Sequence, residues 1–122
     1  MGQLTDSGKN LVLDSGLPNT VWQGLSTSTP TAAGGNVTEP TGDGYARVSL
    51  TMGAAAGAIR QNTNGVQHAA SGGDWGTITY STYYTANSGG VAIGFDDLDA
   101  PRNMVDGATM DFAVGAVDFD LS

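Results

Sequence analysis

The chain has no cysteine, one lysine, one glutamate and one histidine among its 122 residues. Without cysteine there is no disulfide, no thiolate metal site and no cysteine nucleophile, and nothing marks a redox compartment. Charged residues make up only 13%, about half the usual share. A disordered chain would carry more charge and fewer aromatic and β-branched residues. A helical bundle needs Glu, Lys, Leu and Ala at helical spacing, and this composition does not supply them. No apolar run approaches the ~20 residues of a membrane-spanning helix. Met1-Gly2-Gln3-Leu4-Thr5-Asp6 has no basic segment leading into an apolar one, so no secretory signal is expected. Asp6, where Ser or Thr is required, also excludes myristoylation. Without a signal the sequon Asn36-Val37-Thr38 carries no meaning, and the expectation is a protein made in, and soluble in, a cytoplasm.

What is present is glycine, 19 residues, and a wealth of serine and threonine. That composition marks a turn-rich β domain of ordinary single-domain size. Twelve acids face four bases, for a net charge of −8. Asp96, Asp97, Asp99, Asp106, Asp111, Asp118 and Asp120 crowd the last quarter of the chain against Arg102 alone. A surface of this sign repels phosphate backbones and anionic headgroups, so neither nucleic acid nor membrane is an expected partner.

Along the chain, residues 4–15 form the one helical segment. Thr5 or Asp6 serves as N-cap, Leu4, Leu11 and Val12 share a face, and Gly16 and Pro18 stop the helix. Thr20 to Leu25 reads as a first strand with Val21 and Leu25 on one face. Residues 26–44, rich in Ser, Thr, Gly and Pro, exceed an ordinary connection and predict an extended surface loop or arm. Tyr45 to Met52 alternates as a half-buried strand, Val48, Leu50 and Met52 inward. Ala54 to Ala58 is ambiguous between strand and loop. Asn64-Gly65 signals a hairpin between Ile59 and Val66. Residues 75–85 have strand composition, with Tyr83 and Tyr84 on opposite faces and one of them exposed. Val91, Ile93 and Phe95 predict the inward face of a further strand, and Asp96 to Gly107 a polar loop.

In the last segment Met110, Phe112 and Val114 lie on even positions, but Val117, Phe119 and Leu121 on odd ones. An uninterrupted strand would turn the second trio outward, so a bulge or equivalent break is expected within Val114–Val117. Asp111, Asp118 and Asp120 then face solvent. Six or seven strands and one short helix predict an all-β fold: an antiparallel β-sandwich, jelly-roll-like. Residues 1–18 form the helical arm and 19–122 a single sandwich domain.

Few residues invite a chemical role. His68 is the only imidazole available to a Ser-His-Asp arrangement, and it reads as a polar side chain on a hairpin strand. Lys9, in a terminal helix, is poorly placed for Schiff-base chemistry. Pairs of Asp are plentiful enough for a glycosidase dyad, but they read first as a solvated surface. Asp96-Asp97-Leu98-Asp99 clusters carboxylates, yet Pro101 and Arg102 occupy positions where a calcium loop needs an oxygen ligand and Gly. No phosphate-binding glycine motif is present. No catalytic, cofactor-binding or metal-ligating residue is therefore assigned. Tyr45 and Arg47 share a face, and Arg47, one cation among so many acids, predicts a carboxylate partner.

Three blocks together resemble a family of small tailed-phage structural proteins, described as head decoration, cement or virion proteins. They are Gly42-Asp43-Gly44-Tyr45-Ala46-Arg47-Val48, Asp74-Trp75-Gly76-Thr77-Ile78-Thr79-Tyr80 and the ending from Ala108 to Val117. Thr27-Ser28-Thr29-Pro30 is similar to a loop of that family. His68 and Asp96-Asp97-Leu98-Asp99 depart from its pattern. The resemblance implies a non-enzymatic protein without cofactors on the outer surface of the phage capsid. It would bind the assembled major capsid protein lattice in many copies, self-associating there, and stabilise the head. Loop 26–44 and the helix would be arms that order on binding. A tail- or neck-associated virion protein and a glycan- or receptor-binding module are the alternatives.

Overall fold

The structure, a computed structural model, describes residues 2–121, so Met1 and Ser122 lie outside it. It is an antiparallel β-sandwich with one short helix. Helix α1 spans Asp6–Gly16, and strands β1 to β8 span Thr20–Ser26, Val48–Thr51, Ile59–Gln61, Val66–Ala69, Gly76–Tyr84, Ala92–Met104, Thr109–Phe112 and Asp118–Asp120. A four-stranded sheet in the order β2-β1-β5-β6 faces two ribbons, β3-β8 and β4-β7. The pairs β3–β8, β4–β7 and β5–β6 are nested, each inside the last. Residues 59–120 are thus one long hairpin with its tip between β5 and β6, folded over as in a jelly roll.

Alternation along β1 builds the core. Val21 and Leu25 point inward and are fully buried. Leu50, opposite Val21 in β2, joins Val21 with Met52, Tyr83 and Val117 in one cluster. Leu25, Trp75, Ile78, Met104 and Met110 form the other, and Phe112 packs against both.

Helix α1 starts as its sequence predicts, with the Thr5 hydroxyl accepting the Gly8 N–H at 3.1 Å. Its docking face differs from the expected one. Leu4, Leu11 and Val12 are exposed, and only Leu13 is buried. The face that docks is Asn10-Leu13-Asp14-Leu17, which has helical spacing but is half polar. Asn10 and Asp14 accept the N–H groups of Ala58 and Ala55, and Arg60 donates to the carbonyls of Leu13 and Leu17. A cation from β3 thereby covers the helix C-terminus, where none stands in the helix itself.

Four further expectations are corrected. Asn64-Gly65 does not close a hairpin: β3 and β4 are successive segments of one arm of the long hairpin and pair with β8 and β7. Asn64 instead lies along β2, accepting the Thr51 N–H and donating to the Ser49 carbonyl. Asp96 to Met104 is not a loop but the rest of β6, with Leu98–Pro101 bulging where the register jumps from Ile78–Arg102 to Tyr80–Asp97. Of the trio Val91, Ile93 and Phe95, only Ile93 packs inward; the register shift between Tyr83 and Tyr84 turns Phe95 outward, and Val91, which precedes β6, is exposed. Val114 is also exposed, since β7 ends at Phe112.

The break in the last segment falls where the parity requires, as a turn rather than a single-residue bulge. Gly115 adopts φ 79, and Ala116 donates to Ala113 O. Asn62, buried in the opposite arm, holds it: its side chain donates to Asn64 O and Ala113 O and accepts the Val117 N–H. Both arms of the hairpin bend at one level, and Val117 and Phe119 regain the core side.

Candidate functional site

The outer face of the four-stranded sheet is covered by residues 27–47. Loop 26–44 is not a free arm. Ser26 Oγ accepts the N–H groups of Ser28 and Thr38, Ser28 Oγ donates to Asn36 O, and Asn36 Nδ2 donates to Thr29 O. A loop bonded to itself in this way is a compact Ω-like element. Beyond it Glu39 sits over Gly24, where an added Cβ would come within about 3 Å of the Thr82, Tyr45 and Glu39 oxygens.

Glu39 is the carboxylate partner predicted for Arg47. Arg47 Nη2 lies 2.6 Å from Glu39 Oε1, and Arg47 Nη1 donates to the carbonyls of Ala86 and Gly89. The guanidinium stacks 3.6 Å from the centre of the Tyr84 ring. Tyr45 donates its O–H to Glu39 and accepts the Leu25 N–H. Burial pushes the Glu39 carboxyl up, but the bonds from Arg47 and Tyr45 and the Arg47 charge outweigh it and hold it below the usual range. Burial and the bond to Glu39 push the Tyr45 phenol well up. Tyr84, under Arg47, is buried like Tyr83, so neither tyrosine is the exposed one expected.

Two of the motif blocks meet at this place. Gly42, Asp43 and Gly44 all have left-handed backbone, which turns the Asp43 carbonyl onto the Trp75 indole N–H at 2.9 Å. Gly73 gives the Asp43 carboxylate its room, since a Cβ there would stand 2.7 Å from it. Tyr45 and Trp75 then pack edge to face at 5.2 Å. The residues that carry the resemblance are therefore a structural joint.

Between the layers lies a buried polar chain. His68 Nε2 is 2.9 Å from Gln23 Oε1, Gln23 Nε2 donates to the Tyr83 hydroxyl, and that hydroxyl is 2.9 Å from Ser81 Oγ. His68 Nδ1 has no hydrogen-bond partner among the described residues, and the ring lies edge-on to Phe112. Burial pulls the imidazole pKa down to about 4. A neutral ring facing a carboxamide and a phenyl group has neither the nucleophile nor the orienting carboxylate of a triad. It stands on a hairpin strand, β4, with its side chain buried in the core.

The acidic residues are on the open side. Asp96, Asp97, Asp99, Asp111, Asp118 and Asp120 are exposed. Among the described residues no three His, Asp or Glu side chains converge as metal ligands. Lys9 lies in α1. Among the described residues no helix is long and apolar enough to cross a membrane. Sequence reasoning missed Glu39, Gln23 and Asn62 as anchoring residues. Only the shortage of cations pointed toward the first, and nothing local marked the other two.

The first two motif blocks thus meet in an internal joint, and the polar chain is buried in the core. Residues 10–120 match a family model described as podophage GP4 fiber I protein gp80. The class is thus that of phage virion structural proteins. The chain belongs to the podophage GP4 fiber I protein gp80 family. No curated protein matches it.

Proposed function

We propose that this chain is a fibre-borne structural protein of the phage particle, acting by binding and not by turnover. The observation that carries this reading is the family match over residues 10–120, whose description names a fibre protein. The fold supports it. A small sandwich held by the Glu39–Arg47 lock and the Asn62 pin is a rigid building block. Its charge of −8 keeps projecting copies soluble and apart. The partners proposed are other virion proteins, the major capsid protein among them, together with further copies of the chain.

A second reading, decoration of the head lattice, is favoured by the order and spacing of the three motif blocks. Binding only the assembled shell would stabilise it by mass action. Particles prepared with and without the chain separate the two. The fibre reading expects loss of a projecting density with the heat resistance of the shell unchanged. Lowered heat resistance with every projection intact would overturn it in favour of decoration.

A further inference from the structure

The four-stranded sheet has two edges, and they are finished differently. Along β2 the Asn64 side chain takes the place of a neighbouring strand, accepting from Thr51 N–H and donating to Ser49 O. Along β6 nothing does so. Among the described residues, β6 pairs only with β5, and no loop backbone bonds its outward side from Ala92 to Asp97; the Asp96 carboxylate bonds within the strand, to the Asp97 backbone. Proteins blunt such edges with proline, bulges or charge. The Leu98–Pro101 bulge does this for the later part of the strand, and a second register shift sets Ile93 outside the pairing between Ala92 and Gly94, while Gly94-Phe95-Asp96-Asp97 pairs with β5 without a break.

The two sides of this open stretch differ in chemistry. On the inner side Gly94 and Asp96 face a cleft of about 300 Å³ shared with Asp118, Phe119 and Asp120. On the outer side Phe95, 42% exposed, and Ala92 border a groove of about 170 Å³ against Pro30 and Val37. The acids of the cleft have no counterion in the chain, because the ion pairs among the described residues are Arg47–Glu39 and Arg60–Asp14. Burial, with the charges of Asp118, Asp97 and Asp99, pushes the Asp96 carboxyl up against one backbone hydrogen bond.

We propose that the outward edge of β6, Gly94 to Asp97, receives an extended segment of another virion protein as a fifth strand, its side chains alternately basic and apolar. The backbone of the segment completes the ladder. The period of two along a strand sends one set of side chains into the acidic cleft and the other onto Phe95 and the apolar groove. Charge selects the occupant. A second copy of this chain, also at −8, would bring like charges together at the same edge. The inference goes beyond the fibre reading and stands or falls apart from it, since peptide binding is measured on the isolated chain.

The test titrates the ¹⁵N-labelled full chain with a short capped peptide alternating lysine and valine. Two control peptides are used, one with glutamate for lysine and one N-methylated at alternate residues. The lysine peptide is expected to bind saturably, shifting and protecting the amides of Gly94 to Asp97, while both controls fail. The triple variant Asp96→Asn, Asp118→Asn, Asp120→Asn, at exposed positions, should weaken binding about tenfold. Equal binding of the N-methylated peptide would overturn strand addition. Absence of saturable binding, or protection elsewhere on the chain, would overturn the site. Concentration-dependent pairing of copies through this edge in sedimentation would assign it to self-association instead.

Discussion

His68 gives the fold a pH dependence that can be worked out in sign. Unfolded, its imidazole takes a proton near pH 6.5; folded, burial holds it to about 4. Between those values the unfolded state binds more protons, so stability falls as pH drops through the window. The loss should total about 3 kcal/mol, at roughly 1.4 kcal/mol for each pH unit the window spans. His68→Gln keeps a donor for Gln23 and removes the titration. Denaturant unfolding at steps from pH 7 to 4 should show the slope in the parent chain and its absence in the variant, while any slope from Glu39 persists in both. The Arg47 lock makes a second prediction. Arg47→Ala leaves the Glu39 carboxylate half-buried without its cation and frees the carbonyls of Ala86 and Gly89. It should destabilise the fold by about 2–3 kcal/mol in urea. Unchanged stability with lost particle binding would make Arg47 a contact residue instead. At this scale the sequence was partly legible. A lone cation on a strand face predicted a carboxylate, but which one depended on a loop closing back eight positions, and no local pattern encodes that.

Elements were legible where side-chain periodicity alone decides them. Thr5 and the Gly16–Pro18 stop bracket α1, and the alternation of Val48, Leu50 and Met52 places β2. The parity flip between Met110-Phe112 and Val117-Phe119 located the break in the final segment, because a strand cannot change faces without one. Periodicity failed where a long-range partner overrode a local signal. Asn64-Gly65 has the chemistry of a two-residue hairpin, but its flanking strands have better partners in β8 and β7, and Asn64 serves the β2 edge. The Asp-rich run was read as a loop because charge and Pro101 argue against a central strand; it is an edge strand, where both are tolerated. Asn62 is the test of the bend. Asn62→Ala strands the buried Val117 N–H and two carbonyls, and should cost about 2–4 kcal/mol. Hydrogen exchange should quicken at Val117 and Gly115 before the rest of the sheet. Uniform exchange across β7 and β8 in the variant would show that the bend does not depend on this side chain.

As a whole the molecule is a folded-over hairpin with a helix and an Ω-like loop tied to it by polar bonds. Its β character and its single helix followed from composition and spacing, whereas the nested pairing did not, because it joins residues up to 61 positions apart, Ile59 with Asp120. Function was legible to the level of a phage virion protein, carried by motif blocks that turn out to be internal joints and by no reactive group. Exposed on the molecule are the acidic C-terminal side, the Leu11 and Val12 side of α1, Val114 and the β6 edge. Cryo-electron microscopy of intact, purified particles decides whether the chain is a projecting part of the virion. The eight-stranded sandwich should fit repeated density in a structure that projects from the particle, with the β6 edge against a neighbouring chain. Absence of the chain from purified particles would refute a virion role altogether.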